Sequence, residues 1–166
     1  MRENSMNYKI RNMTEDDIPK IQHIAKLSWH DTYAEIIPFH IQDNFLEMAY
    51  SSSMLEKRLA LTKMYVAEFE GQVVGFANFS KPDENGIAEL AAIYLLPDYQ
   101  NLRIGSALIK HGISQMERIK YINVVVEKEN KVGYNFYKNF GFVVQDEFED
   151  DFDGHILQSV KMRLTL

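Results

Sequence analysis

Cysteine is absent from the chain, which excludes disulfides, thiolate metal sites and a cysteine nucleophile together. No run approaches the ~18 consecutive apolar residues of a spanning helix, so no membrane association is expected. The first residues, Met1 to Asn7, are polar and lack the apolar stretch of a secretory signal, which makes the cytoplasm the expected location. Positive charge is in deficit: 18 Lys and Arg against 24 Asp and Glu leave a formal net charge of −6. General nucleic-acid binding depends on neutralising phosphates with Lys and Arg, so no nucleic-acid partner is expected. A cationic small molecule is compatible with this balance, although net charge alone is a weak guide to partners. The usual phosphate signatures are also missing. There is no G-x-G-x-x-G, and no Lys follows a glycine as a P-loop requires. No metal site is expected. Internal repeats, low-complexity segments and linkers are lacking, so residues 1–166 are read as one domain, a monomer or homodimer.

What is present is a chain able to bury a core: 46% of it is apolar and 25% charged, as in ordinary globular proteins. Tyr8 to Arg11 alternates like a short strand. Thr14 and Asp17 have capping-box spacing, and Ile18, Ile21, Ile24 and Leu27 follow at helical intervals, predicting a helix over about Glu15 to His30. Trp29 to Pro38 reads as a helix end and loop, Ile41 to Tyr50 as a second helix. Ser53 and Glu56 form another capping box, opening a helix that ends near Leu61. Two strands, Met64 to Phe69 and Gln72 to Phe79, flank the hairpin signal Glu70-Gly71. Ile87 to Leu96 is an apolar run ending at Pro97 and reads as a central strand. A helix over Ile104 to Glu117 follows, then a strand over Tyr121 to Val126. Val132, Phe136 and Phe140 mark a further helix closed by Gly141. Phe142 to Phe148 and His155 to Leu164 read as final strands around Asp153-Gly154. A mixed α/β sheet with helices on both faces accommodates this order.

The most informative stretch runs from Glu89 through Pro97 and Gln100 to Ile109. It takes a buried strand through a short loop directly into a helix. The first N–H groups of such a helix lack intrahelical partners and the helix dipole adds positive charge, which suits an anion such as a pyrophosphate. Gly105 lets the backbone approach a ligand and Ser106 adds a hydroxyl. The same residues also serve as ordinary helix-start chemistry, and this segment alone does not decide between the two.

Gln100-Asn101-Leu102-Arg103-Ile104-Gly105 is similar to the acetyl-CoA loop Q/R-x-x-G-x-G/A of the GNAT N-acetyltransferase superfamily. Asn130 to Phe142 is similar to that family's N-x-x-A-x-x-F-Y-x-x-x-G-F, and Ala92 to Pro97 has the look of the strand before the loop. With the element order, the resemblance covers nearly the whole chain. It implies the GNAT fold: a central mixed, mostly antiparallel sheet of about seven strands with helices on both faces. It also implies an acetyl-CoA-dependent N-acetyltransferase. Ile93 and Leu95 would then pair with pantetheine amides, with Tyr94 lining the groove or packing beneath it. Gln100, Asn101, Leu102, Arg103, Ile104, Gly105 and Ser106 would hold the pyrophosphate, and Asn130 would reach the cofactor, cap its helix, or do both. One residue departs from the pattern. Arg103 replaces the loop's first glycine, where a positive φ would strain a side chain. Its guanidinium points to solvent, supplements phosphate binding, or marks weakened affinity.

Acetyl transfer to an amine needs a deprotonated nitrogen, donors for the oxyanion and a proton for the departing thiolate. Without cysteine, direct attack in a ternary complex is the expected route. Tyr137 matches a family tyrosine near the cofactor sulfur and is the candidate acid, its alternative a core aromatic beside Phe136. Glu89 resembles a carboxylate used as a base, its alternative a solvated strand face. For the acceptor, Trp29 and Tyr33 either form an aromatic wall or pack in the core. Asp150 and Asp151, within the acidic run Asp146 to Asp153, either steer a cation or form a solvated loop. The expected acceptor is a primary amine of a small molecule, a polyamine being one such class, because length and layout resemble small bacterial polyamine acetyltransferases. The alternatives are acetylation of a protein N-terminus or lysine, and a catalytically weak sensor of CoA esters.

Overall fold

A computed structural model describes residues 8–100 and 102–166. The polar Met1–Asn7 segment and the expected cofactor residue Asn101 lie outside the described residues. The chain runs β1 (Tyr8–Asn12), a 3-10 turn (Glu15–Asp17), α1 (Ile18–Tyr33), α2 (Phe39–Ala49), α3 (Ser52–Leu61), β2 (Lys63–Phe69) and β3 (Gln72–Phe79). It continues through β4 (Ile87–Leu95), a 3-10 turn (Pro97–Tyr99), α4 (Ile104–Gln115), β5 (Tyr121–Glu127), α5 (Lys131–Phe140), β6 (Val143–Phe152) and β7 (His155–Thr165).

These strands form one seven-stranded sheet in the order β1-β2-β3-β4-β5-β7-β6. Neighbours are antiparallel except β4 and β5, which run parallel. Alternation along a strand sends successive side chains to opposite faces. Met64 and Val66 of β2 pack with Ile18, Ile21 and Ile24 of α1 and Leu55 of α3. Their neighbours Tyr65 and Ala67 pack with Ile104, Leu108 and Ile109 of α4 on the other side. The expected mixed, mostly antiparallel sheet with helices on both faces is therefore present. No helix among the described residues is long and apolar enough to cross a membrane.

The Thr14–Asp17 capping signal holds, since the Thr14 N–H donates to Asp17 Oδ2 at 2.8 Å. Asp17 also accepts from both Arg11 amino nitrogens, at 2.8 and 2.9 Å, tying β1 to the start of α1. Three local expectations change. Helix α1 continues past His30 to Tyr33, because Trp29 and Tyr33 extend its buried stripe by one turn. The cap of α3 is Ser51, whose Oγ accepts from the Met54 N–H at 3.2 Å, and not Ser53. Strand β6 runs on past Phe148 to Phe152, so Glu149 to Asp151 also lie in a strand paired with β7 and not in a loop. That pairing is closed by Asp153 (φ 51°) and Gly154 (φ 83°), whose left-handed twist matches a two-residue hairpin turn.

Candidate active site

Strands β4 and β5 pair only at their start, from Ile87–Tyr121 to Glu89–Asn123. Beyond that, β4 stays with β3 and β5 stays with β7, so the sheet opens into a wedge. A bulge starts the divergence: Phe79 pairs with Leu90 and Asn78 with Ala92, leaving Ala91 as the extra residue. Further along, the Leu96 N–H donates to the Val74 carbonyl at 2.9 Å. This makes Gly75–Leu95 a non-hydrogen-bonded pair. By the alternation of an antiparallel ladder, the backbone polar groups of Leu95 and Ile93 turn away from β3 toward the wedge. The Leu95 carbonyl accepts from Ser28 Oγ at 3.1 Å. A cavity of about 590 Å³ fills the opening, a size suited to a small ligand or part of a larger one.

One end of the cavity is built from backbone. The first hydrogen bond of α4 is Ala107 N–H to Arg103 O, so the N–H groups of Ile104, Gly105 and Ser106 precede any intrahelical donor. Gly105, Ser106, Gln100 and Arg103 line the cavity there. A Cβ on Gly105 would meet the Phe136 ring at 3.1 Å, tighter than ordinary contact, so any larger residue needs that ring to shift. Arg103 adopts φ 64° and ψ 11°, the left-handed conformation that a glycine takes without cost. Asn130 caps α5, accepting from the Gly133 N–H at 3.0 Å, and also lines the cavity. The expected capping role is thus present, on a residue facing the expected ligand space.

Side chains supply the other part of the lining. Tyr137 of α5 is buried, with its ring edge-on to Phe136 and to Phe142. Burial raises its phenol well above the usual range, and the charge of Glu127 raises it further, so it keeps its proton at neutral pH. Tyr33, at the end of α1, and Tyr94, on β4, line the same cavity, and burial raises both phenols. Glu127, the last residue of β5, sits among them. Burial raises its carboxyl above the ordinary range; the Tyr33 phenol works against that rise and the charge of Asp150 adds to it. Its Oε1 is buried with no hydrogen-bond partner.

The fold therefore gathers Tyr33, Ile93, Tyr94, Leu95, Gln100, Arg103, Gly105, Ser106, Asn130 and Tyr137 around one cavity. Other candidates lie elsewhere. Leu102 is exposed, and the Ile104 side chain is fully buried against the sheet. Trp29 packs in the core, stacked on Phe45 at 4.5 Å, and not on the cavity wall. Asp150 and Asp151 are exposed on β6. Glu89 is exposed at the closed end of the wedge, outside the cavity lining. Glu127 was not singled out from the sequence. Its available signal was a charge closing the β-branched run Val124-Val125-Val126.

The acetyltransferase (GNAT) family matches the chain over residues 21–142. The chain belongs to this family. A spermidine N(1)-acetyltransferase of Thermoplasma acidophilum is 26% identical over 155 residues, covering 89% of this GNAT chain and 95% of the relative. An uncharacterized N-acetyltransferase of Bacillus subtilis is 30% identical over 152 residues, with 84% of each chain covered. The crystal structure of an N-acetyltransferase from Thermoplasma acidophilum in complex with coenzyme A superposes with a TM-score of 0.83 at 25% identity, covering 97% of this chain and all of that one. This GNAT protein is accordingly an acetyl-CoA-dependent N-acetyltransferase.

Proposed function

We propose that the protein transfers the acetyl group of acetyl-CoA to a primary amine of a small molecule, a polyamine being the favoured class, by direct attack in a ternary complex. The observation that carries this reading is the polarity of the cavity. Among the described residues Arg103 is the only Lys or Arg lining the cavity, and it sits with the N-terminus of α4. The same lining holds the carboxyl of Glu127, which the charge of Asp150 on β6 raises further. A cavity lined both by a helix N-terminus with a cation and by a carboxylate suits a pyrophosphate and an ammonium together. The similarity to a spermidine acetyltransferase supports the same acceptor class.

In this reading the α4 N–H groups, Gln100, Ser106 and Arg103 hold the diphosphate, and the inward backbone of Ile93 and Leu95 positions the pantetheine arm. The tight Gly105–Phe136 approach shapes the cradle. When bound, acetyl-CoA supplies the activated acyl group. Tyr137, kept protonated by burial, donates to the leaving sulfur. Its neighbours Phe136 and Phe142 keep water from the phenol. The test is thiol release from acetyl-CoA over a panel of amines, with products identified by mass spectrometry. Acetylated spermidine or spermine, with little product from peptides, is the expected result. Acetyl-CoA binding without thiol release for any amine or peptide would overturn the proposal.

A further inference from the structure

We propose that Glu127 is the residue that receives the acceptor's ammonium group and takes its proton, a role that rests on the amine transfer proposed above. Four observations converge on this carboxylate. It ends β5 at the open side of the wedge and lines the cavity. Its Oε1 is buried without a hydrogen-bond partner. Among the described residues it has no ion pair: the adjacent Lys128 turns outward to Glu147, at 2.9 Å. The groups that face it from the surrounding elements are Tyr33 of α1, Tyr94 of β4, Tyr137 of α5 and Asp150 of β6, three neutral phenols and one further anion.

A buried carboxylate with no cation is costly to the fold. The Tyr33 phenol is its polar partner from α1, and no cation of the described residues compensates its charge. A ligand N–H⁺ supplies what the fold does not: a donor for Oε1 and a compensating charge. The same environment sets the proton chemistry. A carboxylate held above its ordinary range is a better base near neutral pH than an exposed one such as Glu89. In the step proposed, an N–H bond of the ammonium breaks, its proton passing to Glu127 and its electron pair staying on nitrogen. Nitrogen then bonds to the acetyl carbon as the carbon–sulfur bond breaks and Tyr137 protonates sulfur. The second N–H proton of the forming amide restores the Tyr137 phenol, and Glu127 returns its proton to solvent, so charge and atoms balance.

Only the ionised carboxylate takes a proton, so activity falls as pH drops through its value, and that limb lies above the ordinary carboxylate range. The experiment has two readouts on the full chain, with spermidine and acetyl-CoA as probes. In the first, thiol release is followed against pH for wild type, Glu127→Gln and Glu127→Asp. The Gln variant is expected to lose about 10²- to 10⁴-fold in kcat/KM and to lose the acid limb, the Asp variant to recover part of both. In the second, carboxyl-labelled glutamate is titrated by ¹³C NMR in the absence of acetyl-CoA. One signal, missing in the Gln variant, should titrate above the others and move to lower pH when spermidine is added. A Gln variant as active as wild type at every pH, or a Glu127 signal indifferent to spermidine, overturns the role of Glu127 alone. A wild type that binds acetyl-CoA but acetylates no amine overturns the amine-transfer reading, and this role with it.

Discussion

The two ends of the wedge are made by different means. The α4 part is backbone: consecutive N–H groups at a helix start, a glycine whose missing Cβ leaves room for the Phe136 ring, and an inward strand ladder. The Glu127 end is side chains from α1, β4, β5 and α5, brought together only by the fold. A backbone site is a local property, so a substitution there acts through shape and cofactor affinity. A side-chain site is a property of the assembled chain, so a substitution there acts through proton transfer and acceptor recognition.

The largest expected effect sharpens that division at the side-chain end. Tyr137→Phe keeps the packing against Phe136 and Phe142 but removes the phenol proposed as the acid. It should lower kcat by about 10²- to 10³-fold and leave the acetyl-CoA Kd unchanged, as stopped-flow turnover and calorimetry together report. Equal turnover at all pH values would remove Tyr137 from the chemistry. At the backbone end the pattern should invert. Gly105→Val places carbon where the Phe136 ring lies and should weaken acetyl-CoA by about tenfold or more. Amine affinity should change little, and calorimetry with each ligand separately checks this.

Smaller effects probe the margins of each end. Replacing Asp150 and Asp151 by Asn should raise the KM for spermidine by about two- to fivefold at low salt. The difference should shrink at high salt, because exposed charges are screened. The smallest effect concerns Arg103, where backbone and side chain pull in opposite directions. Arg103→Gly relieves a left-handed residue at φ 64° and should stabilise the fold by about 0.5–1 kcal/mol, glycine's chain entropy offsetting part of the relief. The same change should weaken acetyl-CoA by about three- to tenfold through the lost guanidinium. Arg103→Ala should show the second effect without the first, as thermal denaturation and calorimetry will tell.

The same division explains what could be read from the sequence. The α4 end was legible because its parts are adjacent: Gln100, Gly105 and Ser106 fall within one turn and loop, and the spacing to Asn130 and Phe142 repeats a family pattern. The succession of strands and helices followed from periodicity, and the hairpin at Glu70-Gly71 from a glycine free to take positive φ. Helix ends were less legible. The extra turn of α1 depends on Trp29 finding Phe45 and Phe152, a tertiary contact. Likewise β6 extends through an acidic run that composition reads as a loop, because β7 supplies a partner for every residue from Asp146 to Phe152. Glu127 was hidden for the strongest form of this reason. Tyr33 lies far away in sequence, and nothing local to Val126-Glu127-Lys128 distinguishes a buried carboxylate from an exposed one.

The central claim is that acetyl-CoA occupies the wedge between β4 and β5. Amide chemical shifts followed during titration of the full chain with acetyl-CoA test it most directly. The account predicts saturable shifts at Ile93, Leu95, Gly105 and Ser106, with Lys120 and Gly86, beside the separate cavity behind α4, unmoved. Shifts concentrated at Gly86 and Lys120, with the wedge amides still, would contradict it.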